Sequence, residues 1–150
     1  GGAIADRVGG ARVTIASLGA IALGAVGAIA GLQARSFWLF LISFLWLFVF
    51  TGIGNGSVYR MIPAVFDTLA PTSDSNRVRA RALTAGCIGI AGAVGAFGGF
   101  LIPRGFAMAT TATGSIVPAL WVFIAAYVAL AGLTWVTYAR PRSALAAATV

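Results

Sequence analysis

Histidine, lysine and glutamate are missing from this 150-residue chain, and cysteine occurs once, at Cys87. A single cysteine builds no disulfide within the chain, and without histidine no histidine- or cysteine-based metal site can form, so no metal and no cofactor is expected. Cys87 is read as a small packing residue. The acids are three aspartates, Asp6, Asp67 and Asp74, and charged residues of both signs make up only 9% of the chain. So little charge excludes an ordinary soluble domain. The opening "GGAIADRVGG" has no methionine and lacks the short apolar core and cleavage site of a signal peptide, so the chain is expected to be a fragment.

What remains is apolar: hydrophobic residues reach 60% and the mean hydropathy is +0.99. The windows 13–32, 36–59, 82–103 and 116–139 carry no charged residue. Each is long enough for the roughly 20 helical residues that cross about 30 Å of hydrocarbon. The fold expected is an all-α membrane protein with four transmembrane helices. A β-barrel is disfavoured because the runs are continuous rather than alternating, and about twice the length of a spanning strand.

A net charge of +7 raises the possibility of nucleic-acid binding, and the positions of the charges decide against it. Arg7 and Arg12 precede the first window; Arg60, Arg77, Arg79 and Arg81 fall between the second and third; Arg140 and Arg142 follow the fourth. Arg35 and Arg104 occupy the two opposite loops. By the positive-inside rule the richly basic side is cytoplasmic, which places both chain ends and the 66–81 loop there. Trp38 and Trp121 near the outer ends, with Trp135 and Tyr138 near the inner end, fit interfacial aromatic belts. "LQARS" around Arg35 reads as a tight outer turn. The 66–81 segment reads as a polar inner loop with Pro71, Ser73, Asp74 and Ser75 as turn and capping residues, and 104–115 as an outer loop of small and hydroxyl residues.

Span three, "CIGIAGAVGAFGGFLIP", holds a glycine at every third position from Gly89 to Gly98, and Gly86 extends the series. Each costs a helix in water about 1 kcal/mol relative to alanine. In lipid, association relies on close van der Waals contact, and small residues let backbones approach. Steps of three drift by about 60°, so Gly86, Gly89, Gly92, Gly95 and Gly98 wind around the helix. The four-residue pairs Gly89/Ala93, Gly92/Ala96 and Gly95/Gly99 are small as well, and most of the helix is smooth. Two readings stay open: tight helix packing, or a wall of a narrow slot for a small flat solute. In span two, "TGIGNGSVYRMIPAVF", Gly52, Gly54 and Gly56 loosen the helix, Asn55 offers a buried amide, and Pro63 is expected to bend or end it. Asn55 could join two helices or contact a transported solute. Arg60 reads as an interfacial anchor.

The opening Gly2-x-x-x-Asp6-Arg7-x-Gly9 resembles the loop motif of the major facilitator superfamily, in the weaker form of its second copy. Glycines there permit a tight turn and Asp6 can cap a helix start. Together with "TGIGNGSVYRMIP" and "GIAGAVGAFGGFLIP", the chain resembles the nitrate/nitrite porters of that superfamily from residue 1 to about 140. The resemblance implies helices nine to twelve of a twelve-helix transporter in the cell inner membrane, completed by eight N-terminal helices that supply the pore arginines. Gly89 to Leu101 would be the second of the family's two nitrate signature segments. The implied substrate-binding residues are Gly89, Gly92, Ala93, Gly95, Ala96 and Asn55; Gly2, Asp6, Arg7, Gly9, Gly52, Gly54, Gly56, Gly98 and Gly99 would shape the motifs. The implied partners are nitrate or nitrite and the lipid bilayer, moved by exchange or by proton-coupled symport. A transporter of another small anion or drug, or a non-transporting membrane subunit, remains open. A four-span multidrug exporter needs a carboxylate within the membrane, and the three aspartates lie outside the charge-free windows.

The arginine distribution makes a direct prediction. Single cysteines at Ser75 and Thr111, in a Cys87→Ala background, will react with membrane-impermeant reagents from opposite sides of the membrane. Labelling of both from one side would overturn the assigned topology.

Overall fold

The computed structural model describes residues 8–69 and 74–139. Four helices follow one another: α1, Gly10–Gln33; α2, Phe37–Leu69; α3, Asp74–Thr113; and α4, Val117–Thr134, whose last turn continues as a π-helical stretch, Trp135–Ala139. All four are long and apolar enough to cross a membrane. The protein is a multi-pass, all-α membrane protein.

Helix α1 is the centre of the packing. It lies against α2 and α4, whereas α3 rests on α2 and only lightly on α4. The buried share of the most apolar window is 44% in α1 against 6% in α2, 6% in α4 and 0% in α3, so α1 is the enclosed helix and the other three turn most of their surface outward. Ala28, Ile29 and Leu120 form a buried apolar cluster with Phe40, Phe106 and Ile124 packed around it.

The contact between α1 and α2 depends on glycine. A Cβ at Gly31 would meet the backbone nitrogen of Phe40 at 2.6 Å, one at Gly27 the Ser43 Oγ at 2.5 Å, and one at Gly24 the Trp46 ring at 2.9 Å. Small residues here let the two backbones come together, as lipid-embedded helices require in place of a hydrophobic drive. Polar groups on the same interface find partners within it. The Trp46 Nε1–H donates to the Ala20 carbonyl at 2.9 Å. At the other end of the pair, Ser57 Oγ donates to the Gly10 carbonyl at 2.8 Å, and Thr14 Oγ1 lies 2.9 Å from that carbonyl and 3.0 Å from Ser57 Oγ. Two hydroxyl protons thus serve three contacts around one carbonyl. Ser57 has no exposed surface, so its hydroxyl must be satisfied there.

The tight turn expected at Arg35 closes this hairpin. Arg35 has φ 49°, the Arg35 N–H donates to the Leu32 carbonyl at 3.2 Å, and the Ser36 N–H to the Gly31 carbonyl at 3.0 Å. This is the Schellman ending of a helix, with arginine at the left-handed position that glycine usually fills. Gly9, at φ 100°, precedes α1 and uses the freedom that only glycine has. Gly2, Asp6 and Arg7 of the same motif lie outside the described residues.

Three boundaries differ from the expectations. Pro63 does not end α2, which runs on to Leu69. Met61, Pro63, Val65 and Phe66 are half-buried there, and that packing holds the turn despite the missing backbone donor. The polar inner loop shrinks, because 66–69 belong to α2 and 74–81 to α3. Asp74 opens α3 and Ser75 lies inside it, while Pro71 and Ser73 fall outside the described residues. The expected outer loop 104–115 is helical as far as Thr113. Its threonines show why: Thr110, Thr111 and Thr113 hydroxyls donate to the carbonyls of Phe106, Ala107 and Ala109 at 2.9, 2.9 and 2.8 Å. Hydroxyls that compete with a helix in water back-bond within it here. Arg104 therefore stands inside α3, not in a loop.

The glycine interface is testable by a single methyl group. Gly31→Ala will destabilise the folded protein by about 1–3 kcal/mol, the usual cost of overpacking, because the obstacle is the backbone of Phe40. Gly19→Ala will leave stability unchanged or slightly raised, since nothing lies within 4 Å of its Cβ position. Thermal unfolding of both variants in detergent checks the pair, and equal effects would refute the assigned interface.

Candidate functional site

The residues singled out on α3 face away from the other three helices. Gly89, Gly92, Ala93, Gly95 and Ala96 are exposed. A Cβ added at Gly86, Gly89, Gly92, Gly95, Gly98 or Gly99 would meet no atom within 4 Å. Contact with α1, α2 or α4 therefore does not account for these glycines, in contrast with Gly24, Gly27 and Gly31 of α1. The surface they leave is an open wall of backbone, flanked by Ile90, Val94 and Phe97, which are about two-thirds exposed or more.

Helix α2 divides its small and polar residues between two sides. Gly54 faces α1, with its Cβ position 3.1 Å from the Ser17 Cβ, and Ser57 is buried in the same interface. Gly52, Asn55 and Tyr59 follow at intervals of three and four, so they share a different side of the helix, and all three are exposed. Gly52 meets nothing within 4 Å, and Gly56 is half-buried. Among the described residues no hydrogen bond reaches the Asn55 amide. An amide at membrane depth can offer two donors and an acceptor, and these are available to a group outside the four helices.

Two clefts occupy the spaces between helices. One, of about 390 Å³, separates α3 from α4 and is lined by apolar and small residues, among them Ile102, Gly105, Ala109, Val122 and Phe123. The other, of about 300 Å³, lies where all four helices meet and includes Thr14, Met61, Cys87, Thr134 and Tyr138. Neither is lined by Asn55 or the open glycines, so among the described residues these two clefts do not gather the expected site residues. Asn55 and the α3 wall are exposed on different helices. The reading from sequence passed over Thr14 and Ser57, although hydroxyls inside apolar windows are the signal that marks polar contacts between helices. Cys87 is a half-buried free thiol in the second cleft, in keeping with a packing role.

With this geometry in place, comparison with known proteins gives the open wall a context. The chain is 36% identical, over 93% of its length, to the nitrate/nitrite transporter NarU of Salmonella typhimurium, and 34% identical over the same share to NarU of Escherichia coli K12. It is 32% identical over 93% of its length to the probable nitrate/nitrite antiporter NarK2 of Thermus thermophilus. No family model matches the chain. The resemblance first carried by the glycine-rich motifs is thus borne out across nearly all of the sequence. The chain spans about a third of the length of these relatives.

Proposed function

We propose that the chain is the last third of a transporter that moves nitrate or nitrite across the cell inner membrane, its four helices being the ninth to twelfth of twelve. The observation that carries this reading is the uncovered glycine wall of α3, from Gly89 to Gly99, in a chain related to nitrate/nitrite transporters over 93% of its length. Nitrate and nitrite are small, flat and singly charged. A surface of backbone and methyl groups lets such a solute pass in close contact, where larger side chains would obstruct it. In this reading Gly89, Gly92, Ala93, Gly95 and Ala96 form one side of the path and Asn55 supplies an amide from α2. Gly98 and Gly99 continue the smooth surface, and helices outside this chain complete the enclosure and bring arginines to offset the desolvation of the anion.

The distribution of charge favours exchange over proton coupling within this portion. Among the described residues the acids are Asp67 and Asp74, near the end of α2 and at the start of α3, so the middle of the bundle offers no carboxylate to relay a proton. Both chain ends and the α2–α3 connection are assigned to the cytoplasm. Arg12, Arg77, Arg79 and Arg81 are exposed at that end, as the positive-inside rule expects.

The glycine wall is tested by filling it. In the complete transporter, Gly92→Leu or Gly95→Leu will abolish nitrate exchange in reconstituted liposomes and leave membrane abundance near normal, because no atom of this chain lies within 4 Å of a Cβ at either position. Gly24→Leu will instead lower the amount of folded protein, since its side chain must displace Trp46 and Leu47. Normal exchange by folded Gly92 and Gly95 variants would refute the path. Loss of folded protein from all three would assign the α3 glycines to helix packing.

A further inference from the structure

We propose that Arg104 is an anion-binding residue in the outer half of the transport path, met by the oxyanion before it reaches the glycine wall; this rests on the function proposed above. Its position in the fold is the first observation. Arg104 lies inside α3, nine residues before the helix ends at Thr113, and that stretch amounts to about 13 Å of helix. Two residues later, Phe106 packs against Phe123 with ring centroids 5.3 Å apart, and Phe123 is six residues into α4, about 9 Å from its start. The α-carbon of Arg104 thus sits roughly 10 Å below the outer end of the α3–α4 hairpin. From Val117 to Ala139 the fourth span is about 34 Å long, barely more than the hydrocarbon thickness, so this depth is within the membrane.

The second observation is that none of the described residues supplies a counter-charge. Arg104 is exposed, and among the described residues no hydrogen bond or ion pair reaches it. Asp74 is thirty residues earlier on the same helix, about 45 Å away along its axis, and Asp67 is near the same far end. A guanidinium at this depth needs an anionic or strongly polar partner, and an ionisable residue so placed marks a pathway by default.

The direction of the side chain separates a lipid phosphate from a solute. Every Cα–Cβ bond of an α-helix tilts toward the helix N-terminus. With α3 running outward, as in the proposed topology, the Cα–Cβ bond of Arg104 tilts toward the membrane centre, so a reach to the outer headgroups has to turn back against that tilt. At 100° per residue, Ala93 falls within about 20° of Arg104 around the helix, Gly89 within about 60° and Ala96 within about 80°, while Gly92 and Gly95 lie about 120° and 180° round. The arginine therefore stands at the outer end of the strip that carries two of the proposed wall residues. A planar guanidinium offers paired donors to a planar oxyanion such as nitrate.

The test uses the full transporter. Arg104→Gln is expected to raise the KM for external nitrate at least tenfold with membrane abundance preserved, and Arg104→Lys to give a smaller rise. In the Cys87→Ala background, Arg104→Cys is expected to react with a membrane-impermeant thiol reagent added outside, at a rate slowed by nitrate. An unchanged KM in a folded Arg104→Gln variant overturns the proposal. So does labelling that nitrate does not slow, the behaviour of a headgroup anchor, or rescue of a poorly folded Arg104→Gln variant by neutralising a carboxylate elsewhere in the transporter. Wild-type uptake is measured first: if it is absent, transport of nitrate fails as the function, whereas intact uptake with no effect at Arg104 refutes this site alone.

Discussion

The closeness of α1 and α2 is the constraint on which the rest of the structure depends. In hydrocarbon, two apolar helices gain little from burying apolar surface against each other, so their association must come from packing and from polar groups with no other partner. Gly24, Gly27 and Gly31 let the backbones approach at one end. Ser57, Thr14 and the Gly10 carbonyl tie them at the other. Between these points the Trp46 indole donates to a backbone carbonyl of α1. An unsatisfied polar group would cost several kcal/mol in this setting, so these few contacts fix the register of the pair. With α1 held, its second side takes α4 through Ala28, Ile29 and Leu120.

The same residue type therefore does opposite things in two helices. Gly24, Gly27 and Gly31 of α1 are filled from across the interface, and substitution there collides with the Trp46 ring, the Ser43 side chain or the Phe40 backbone. Glycine in α3 borders empty space, and substitution there collides with nothing in the chain. Sequence spacing alone does not separate the two cases, because steps of three and four occur in both. The separation lies in the partner. On α2, Phe40, Ser43, Trp46 and Leu47 fill the space left by Gly31, Gly27 and Gly24, whereas no atom of this chain lies within 4 Å of a Cβ at any α3 glycine.

Four spans were legible in the sequence because a charge-free run of about 20 residues or more, in a chain this apolar, fits a membrane helix and little else. Their ends were less so. Threonines 110, 111 and 113 carry a loop-like composition, yet each hydroxyl bonds back to a carbonyl of its own helix, an option that apolar surroundings favour and composition does not reveal. Pro63 and Pro103 sit inside helices that run through them, Pro63 among half-buried neighbours and Pro103 among exposed ones. The candidate site was legible at Gly89 to Gly99 through its pattern. Its geometry was not, since whether a glycine is covered depends on helices distant in sequence. Arg104 was placed in a loop for the same reason that the helix end was missed.

One asymmetry ties these elements together. Helix α3 rests on α2 and lightly on α4, yet no residue of its most apolar window is buried. In α3 the residues that would support such contacts, Ile90, Val94, Phe97 and Phe100, are present and exposed, interleaved with the glycines. Bulky and bare positions alternating around one helix suit a surface that must both pack and leave room. The bulky side chains can seat against another helix while the bare backbone between them stays clear. In the proposed path such a surface, set against a helix outside this chain, would leave a gap along the bare backbone, and desolvation of an anion there would have to be offset by charge placed along it. That is the part proposed for Arg104, since arginines at a water-exposed rim are screened and contribute little to a solute within the bilayer.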